Sequence, residues 1–320
     1  MRAVRAGIGT VEVCEVPAPD GPGVIVDVKA AGICGTDLHL ISGADFPPPR
    51  VTLGHEIAGV TENGTPVAIE PLSPCGHCDP CRRGDEHLCV DSSARFFGLG
   101  LDGGMADRIE VPERCLVPLP AGIDVRDASL VEPLAVVVHS LRRSAVRTDQ
   151  RVVVIGGGTI GLCAVAAARA RGCEVALVAR HDAQRAAGER LGATEATEAT
   201  EATDGGYDVV IEAAGSESAL GRAIELARPG GTVMIPGVYW GPVAVPGMAW
   251  CFKEVSLCPT ALYARTAGGR DIDAAAALLA TTPGLADTLI THRFPLDAAA
   301  EAFATAASRD HGAIKVVLEQ

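Results

Sequence analysis

The sequence predicts an α/β protein of two domains: a mainly-β amino-terminal part, then a parallel sheet with helices on its faces. Three observations carry that expectation. At 320 residues the chain exceeds what one hydrophobic core ordinarily serves. Its first third breaks into short apolar runs punctuated by Gly and Pro, such as GVIVDVKAAGI and TPVAIEP. From Glu132 onward, short apolar strands alternate with helically spaced segments, the pattern of a parallel sheet covered by its crossover helices. Aromatic residues make up only 3% of the chain, so the core has to be built from Val, Leu, Ile and Ala.

In chain order, MRAVRAGIGTVEVCEV alternates apolar and polar residues like a strand and lacks the apolar run of a signal peptide. PLAVVVHSLRRSAV has the apolar spacing of a helix with its arginines on the other face. RVVVIGGG, EVALVAR, YDVVIEAAG and TVMIPGV then read as strands, separated by helices in IGLCAVAAARARG, DAQRAAGERLGA and ALGRAIELARPGG. The segment from DIDAAAALLATTPGL to AIKVVLEQ predicts two helices and a closing strand. The low-complexity run ATEATEATEAT, Ala193 to Thr203, is expected to be a surface loop or an extended helix end, with a recognition loop as the functional alternative.

The charge balance of 27 basic against 40 acidic residues, net −13, repels phosphate backbones and argues against nucleic acid as a partner. No apolar stretch of about 18 residues suggests a membrane span. With no secretory signal, a cytoplasmic setting is expected. The 11 cysteines are then metal ligands and small buried hydrophobes rather than disulfides.

Gly156, Gly158 and Gly161 in VVVIGGGTIGL have G-x-G-x-x-G spacing between an apolar strand and a helix-like run, with Thr159 and Ile160 between the last two. In that setting the first glycine allows the tight turn and the second lets a pyrophosphate approach the backbone. The third lets helix and strand pack closely, and the helix amino terminus faces the phosphates. The pattern is expected to be a Rossmann dinucleotide site, with a purely structural glycine turn as the alternative. Where the second strand ends, an acidic residue would bind the adenosine ribose; here ALVARHDAQR places Arg180 and His181. A guanidinium grips a 2′-phosphate that a carboxylate would repel, which favours NADP(H) over NAD(H). Asp182 keeps NAD(H) open, since a shift of a residue or two would bring it to the ribose.

CGHCDPCRRGDEHLC holds Cys75, Cys78, Cys81 and Cys89 in C-x2-C-x2-C-x7-C spacing. Four thiolates complete a tetrahedral zinc and leave no position for water or substrate, so this is a structural site; His77 and His87 are not needed. The spacing matches neither ferredoxin pattern. A catalytic zinc needs three protein ligands and a vacancy, for which Cys34 in AGICGTDLHL and His55 with Glu56 in LGHEIAGV are the candidates. Taken singly, Cys34 fits a core position, His55 a satisfied strand histidine and Glu56 a surface charge. Their conjunction with the other two motifs favours the metal.

The sequence resembles the zinc-dependent medium-chain alcohol/polyol dehydrogenases over nearly its whole length. GICGTDLH, LGHEIAG, the cysteine lobe, DGGMADRIEVP, VEPLAVVVHSLRR, VVVIGGGTIGL and LITHRFPLDAAAEAF follow in the family's order. The resemblance implies a GroES-like catalytic domain at 1–135 with the cysteine lobe at 75–89, a Rossmann domain at 136–267, and a return to the catalytic domain at 268–320. It implies that Cys34 and His55 ligate the catalytic zinc, with Glu56 or Glu132 as alternative carboxylates. Thr36 and His39 match the family's proton relay, although Thr36-Asp37 also suits a helix cap.

The reaction so implied moves a hydride between the nicotinamide and a secondary alcohol or ketone, while zinc polarises the oxygen. The Glu56/Glu132 pair is similar to the polyol, sugar and threonine branches, which favours a hydroxyl-rich substrate. Phe46, Phe96 and Phe97 are candidate pocket walls. The relatives' habit of pairing through the nucleotide domain points to VMIPGVYWGPVAVPGMAWCFKEV and a homodimer or homotetramer. Two other readings stand beside this one: an aldehyde- or formaldehyde-type dehydrogenase on the same metal site, and a nucleotide-binding redox sensor without turnover. The retention of Cys34, Thr36, His39, His55 and both carboxylates weighs against the sensor.

Overall fold

The computed structural model describes residues 1–43, 50–197, 204–308 and 312–320. The chain divides into two units. One comprises Met1–Glu132, Ala264–Ala286 and Ile290–Gln320; the other comprises Pro133–Tyr263 and Asp287–Leu289.

The first unit opens with an antiparallel hairpin, β1 (Arg2–Gly7) and β2 (Thr10–Glu15). Strand β3 (Val24–Gly32) leads into helix α1 (Gly35–Ser42), and β4 (Glu56–Thr61) and β5 (Pro66–Ile69) follow. The cysteine lobe is nearly free of regular structure, holding only the one-turn helix α2 (Asp79–Arg82) and a short 3-10 turn. Strands β6 (Arg108–Val111) and β7 (Leu116–Pro118) complete this stretch. Helix α3 (Val131–Arg143) starts on Val131 and Glu132 of the first unit and continues into the second.

The second unit alternates strand and helix: β8 (Arg151–Ile155), α4 (Thr159–Ala170), β9 (Glu174–Val178), α5 (Asp182–Arg190), β10 (Glu195–Thr197), β11 (Tyr207–Glu212), α6 (Glu217–Leu226), β12 (Ala227–Ile235), α7 (Gly247–Lys253) and β13 (Ser256–Pro259). All six strands are parallel, in the order β10-β9-β8-β11-β12-β13. Val152, Val153 and Val154 are wholly buried, as a strand covered on both faces requires. The order reverses between β8 and β11, which makes their carboxyl ends the crevice where a doubly wound sheet takes its ligand. Ile155, Val178, Val210 and Val233 pack with Leu220, Ala223 and Ile224 of α6 into one apolar cluster.

The chain then returns to the first unit through the small hairpin β14 (Arg265–Thr266) and β15 (Gly269–Arg270) and helix α8 (Asp271–Thr281). After α9 (Leu285–Leu289) come β16 (Ile290–Pro295), α10 (Ala299–Ala307) and β17 (Lys315–Glu319). The large sheet of this unit runs β16-β17-β3-β4-β5-β7, with β6 paired to β3. Arg270 ties the returning segment down, donating to Glu70 at 3.2 Å and to the carbonyls of Arg114 and Leu116 at 3.0 Å.

Three stretches of the chain differ from the expectation. Glu195–Thr197, expected as loop or helix end, forms β10, because pairing along the free edge of β9 satisfies its backbone groups whatever the repeat contributes in side chains. Glu198 to Thr203 of that run lie outside the described residues, as does Phe46. Strand β12 begins at Ala227 rather than Thr232: Ala227 pairs with Tyr207, and a register shift absorbs the Arg-Pro-Gly-Gly segment. The carboxyl-terminal segment holds a third helix and an extra strand. THRFP alternates exposed and half-buried side chains and pairs in parallel with β17 at the sheet edge, where Pro295 withholds no needed donor.

All eleven cysteines are unbridged. Among the described residues no helix is long and apolar enough to cross a membrane.

Gly161 is fixed by packing: a Cβ there would lie 1.8 Å from the Gly156 carbonyl oxygen. Gly161→Ala is expected to destabilise the protein by about 2 kcal/mol through overpacking between α4 and the β8 turn, read as a lowered urea midpoint; an unchanged midpoint would refute the close packing.

Candidate active site

Sheet register assembles the first cluster. Gly32 at the end of β3 pairs with Glu56 at the start of β4, and with Val317 of β17 on its other side. Cys34 follows β3 by two residues and caps α1, while His55 immediately precedes β4. Ligand atoms of Cys34, His55 and Glu56 lie within 4.8 Å of one another. His55 is 4% exposed and Glu56 1%, whereas Cys34 is half-buried. A Cβ at Gly32 would sit 2.0 Å from Glu56 Oε2; the glycine leaves the room in which that carboxylate lies.

Asp37 is wholly buried and does two things. Its Oδ2 accepts the Cys34 backbone N–H at 2.8 Å, the helix-cap role its sequence position suggested. Its Oδ1 has no hydrogen-bond partner and faces His55 Nδ1 at 3.6 Å. A carboxylate behind one ring nitrogen orients a histidine so that its other nitrogen serves a metal. Burial pushes the Asp37 carboxyl above its ordinary value against the pull of His55. Burial would lower His55, but the charges of Asp37, the Cys34 sulfur and Glu132 outweigh it and hold the imidazole well above its ordinary value. A pocket that favours positive charge so strongly suits a divalent cation, and its soft-thiolate, imidazole and carboxylate donor set suits zinc.

Lys315 was not singled out from the sequence. Its Nζ is buried and donates to both carboxylate oxygens of Glu56 at 2.7 Å and to the Ile33 carbonyl at 3.0 Å. The signal available was a lysine inside the apolar strand IKVVL, where an enclosed ammonium demands a partner.

Thr36 is the second residue of α1 and His39 lies three further on, so both fall on one helix face; both are half-buried. Phe96 is 6% exposed with its ring 5.7 Å from that of His55, at the wall of the cluster. Phe97 packs instead into the core with Val26, Val28, Ile57 and Ile109.

The four lobe cysteines form a second group, with their sulfurs within 4.8 Å of one another. Cys75 Sγ lies 3.9 Å from Cys81 Sγ, and Cys78 Sγ 4.0 Å from Cys89 Sγ. Backbone N–H groups from Cys81 and Val90 lower the Cys78 thiol to about 6, and that of His77 lowers Cys75, whereas burial pushes Cys81 up to about 12, so the loop favours thiolate at two of its four sulfurs. His77 is exposed and engages the Cys75 carbonyl at 3.0 Å, consistent with a bystander.

In the second unit, Gly156 follows β8 with φ of +107°, Gly158 caps α4, and Thr159 and Ile160 form its half-buried first turn. The first-turn N–H groups of a helix amino terminus are where an anion is ordinarily held. Arg180 is exposed at the end of β9, and His181 caps α5. Asp182 is drawn to Arg185, whose Nη1 also donates to the Ala179 and Arg180 carbonyls at 2.8 and 3.0 Å. Arg185 was missed in the sequence because its role depends on the turn between β9 and α5.

Residues 20–121 match the family described as alcohol dehydrogenase GroES-like domain, and residues 159–281 match zinc-binding dehydrogenase. L-galactonate-5-dehydrogenase of Escherichia coli (strain K12) is 32% identical over 311 residues, 90% of this chain and 89% of that protein. The chain belongs to the zinc-dependent medium-chain dehydrogenases. Among other relatives of this dehydrogenase, D-xylulose reductase A of Aspergillus oryzae (strain ATCC 42149 / RIB 40) is 31% identical over 94% of this chain and 91% of its own length. A crystal structure of a protein assigned as a zinc-binding dehydrogenase from Sinorhizobium meliloti 1021, bound to NADP, superposes with a TM-score of 0.89 at 32% identity, covering 100% of this chain and 99% of that one. The dehydrogenase is thus an enzyme that uses zinc and a nicotinamide coenzyme on a small-molecule alcohol, with a GroES-like and a Rossmann domain.

Removing Lys315 strands the Glu56 charge in a dry interior. Lys315→Met is expected to cost the dehydrogenase about 3 kcal/mol in urea denaturation, and Lys315→Met with Glu56→Gln to recover most of it. Additive losses in the double variant would show that the two side chains do not interact.

Proposed function

We propose that this dehydrogenase oxidises and regenerates a hydroxyl-rich secondary alcohol, a polyol, sugar or sugar acid, with NADP(H) as its preferred coenzyme and two zinc ions per chain. The observation that carries the site assignment is the cluster of half-buried Cys34 with buried His55 and Glu56, backed by Asp37 and by the charge of Glu132. The substrate class draws support from the relatives that bear galactonate and xylulose in their names.

Cys34, His55 and Glu56 would hold the catalytic zinc, with Glu132 as the neighbouring carboxylate that could exchange with Glu56. When bound, this metal supplies Lewis-acid polarisation of the alcohol or carbonyl oxygen. The Thr36 hydroxyl accepts the substrate's hydroxyl proton and donates its own onward, and His39 exchanges that proton with solvent. Asp37 fixes the His55 ring, Lys315 holds Glu56 by its outer face, and Phe96 keeps bulk water from the imidazole. The coenzyme supplies the hydride acceptor, held by Gly156, Gly158, Thr159, Ile160 and Gly161. The four lobe cysteines would hold the second zinc as a clamp.

The preference for NADP(H) is supported by two features at the end of β9. Arg180 is exposed and can face a 2′-phosphate, and Asp182, two residues on, is paired with Arg185 and turned to solvent. His181 lies beside them.

Assembly as a homodimer or homotetramer is supported by α7, where Met248 is 73% and Phe252 80% exposed, in the unit whose sheet ends at the open edge strand β13.

Zinc content by atomic emission tests the metal assignment. Cys34→Ser is expected to lose one zinc equivalent and all measurable turnover with a nearly unchanged melting temperature, whereas Cys78→Ser should lose the other zinc and unfold earlier. Full turnover by Cys34→Ser would overturn the catalytic site. Arg180→Ala should weaken NADPH about tenfold, the loss of one charge-assisted grip on phosphate, and leave NADH within about twofold; equal effects on both coenzymes would refute the preference.

A further inference from the structure

Glu212, fully buried at the end of β11, has no role in the metal chemistry or in the glycine turn. It pairs with Ile155 of β8, so it stands at the point where the sheet order reverses, beside the first glycine of the turn. Enclosing a carboxylate is costly unless its oxygens are fully employed, and these are. Oε1 accepts the backbone N–H groups of Ala214 and Gly215 at 2.8 and 2.9 Å, and Oε2 accepts the Tyr239 hydroxyl at 2.5 Å. The Glu212 carbonyl also accepts the Gly237 N–H at 3.2 Å. One residue therefore fastens the loop after β11 to the loop after β12.

Those loops fit each other without slack. A Cβ at Gly237 would meet Glu212 Oε2 at 2.8 Å and the Gly215 nitrogen at 3.0 Å. At Gly215, whose φ is +66°, it would meet the Val238 carbonyl at 2.8 Å. Val238 and Trp240, on either side of Tyr239, are 55% and 40% exposed, so the tyrosine is the anchored member of an otherwise outward-facing loop.

We propose that the Glu212–Tyr239 pair is a positioning clamp for the nicotinamide end of the coenzyme. A doubly wound sheet is two mononucleotide-binding halves, and a dinucleotide lies across the switch point between them. Here β8, β9 and the glycine turn form the half that takes the adenosine and pyrophosphate. The loops after β11 and β12 border the other half, where the nicotinamide goes. Neither Glu212 nor Tyr239 touches the reacting atoms; they act through the backbone they hold. This inference rests on the coenzyme reading given above.

The test uses full-length, zinc-loaded protein and the quenching or enhancement of reduced-coenzyme fluorescence. NADPH and NADH are titrated first into the wild type. The tighter one is then titrated into Tyr239→Phe and Glu212→Gln. Adenosine 2′,5′-bisphosphate, or 5′-AMP where NADH is the tighter ligand, serves as a probe that lacks the nicotinamide half. Tyr239→Phe should weaken the whole coenzyme about tenfold, the loss of one charge-assisted hydrogen bond, and leave the adenosine probe within about twofold. Glu212→Gln should fall between wild type and Tyr239→Phe, because its amide oxygen still accepts the loop N–H groups and its amino group can donate to Tyr239. Coenzyme bound as tightly by Tyr239→Phe as by the wild type overturns the clamp, whatever the melting temperature does. Equal weakening of coenzyme and adenosine probe also overturns it, since that marks a general loosening. A wild type that binds neither NADPH nor NADH would remove the coenzyme reading and the clamp together.

Discussion

Asp37, Glu56 and Glu132 crowd negative charge around one imidazole in a dry interior, and the first unit is arranged to answer it. Lys315 answers part, by gripping both oxygens of Glu56 from β17. The rest falls on His55, whose affinity for a proton rises well above that of a free imidazole despite burial. A zinc ion held among Cys34, His55 and Glu56 would meet the same need more fully than a proton. The pairing of β17 with β3 and of β3 with β4 brings the Lys315 ammonium to the Glu56 carboxylate beside the Cys34 thiol.

The two metal-ligand groups show opposite solutions to the same chemistry. The lobe cysteines sit in a segment with little regular structure, where backbone N–H groups favour the thiolate forms of Cys75 and Cys78. A loop of that kind would depend on a bound metal to stay folded. The Cys34 cluster instead lies where two central strands meet and is held by packing, the Asp37 cap and Lys315. Preorganisation of that kind would let a metal site keep its shape with one position open.

In the second unit the parallel order β10-β9-β8-β11-β12-β13 brings loops from distant parts of the chain to one edge. Glycines allow that convergence and hydrogen bonds hold it. Gly161 lets α4 close on the β8 turn, and Glu212 ties down the loops opposite. Arg185 works similarly at the far end, holding the turn after β9 through two carbonyls while taking up the charge of Asp182. That edge is thus held together by side chains behind its surface.

Residues with a fixed local spacing were legible in the sequence: the four lobe cysteines, the glycine turn, Cys34 with Thr36 and His39, and His55 with Glu56. Apolar periodicity likewise announced most strands and helices, because burial on one or two faces writes itself into the order of side chains. The start of β12, the strand in THRFP and the edge strand β10 were not legible, since each exists only because a neighbouring strand offers free backbone groups. Lys315, Arg185 and the partnership of Glu212 with Tyr239 were hidden for a related reason. A lone lysine or glutamate carries no local signal, and its meaning is set by a partner 259 residues away for Lys315 or 27 for Glu212. The sequence by itself determined the family, the ligand types and the nucleotide turn, all matters of residue identity and short spacing. Which charges answer which, and which loops are held together, only the tertiary structure decided, because electrostatic and hydrogen-bond partnership depends on distance in space.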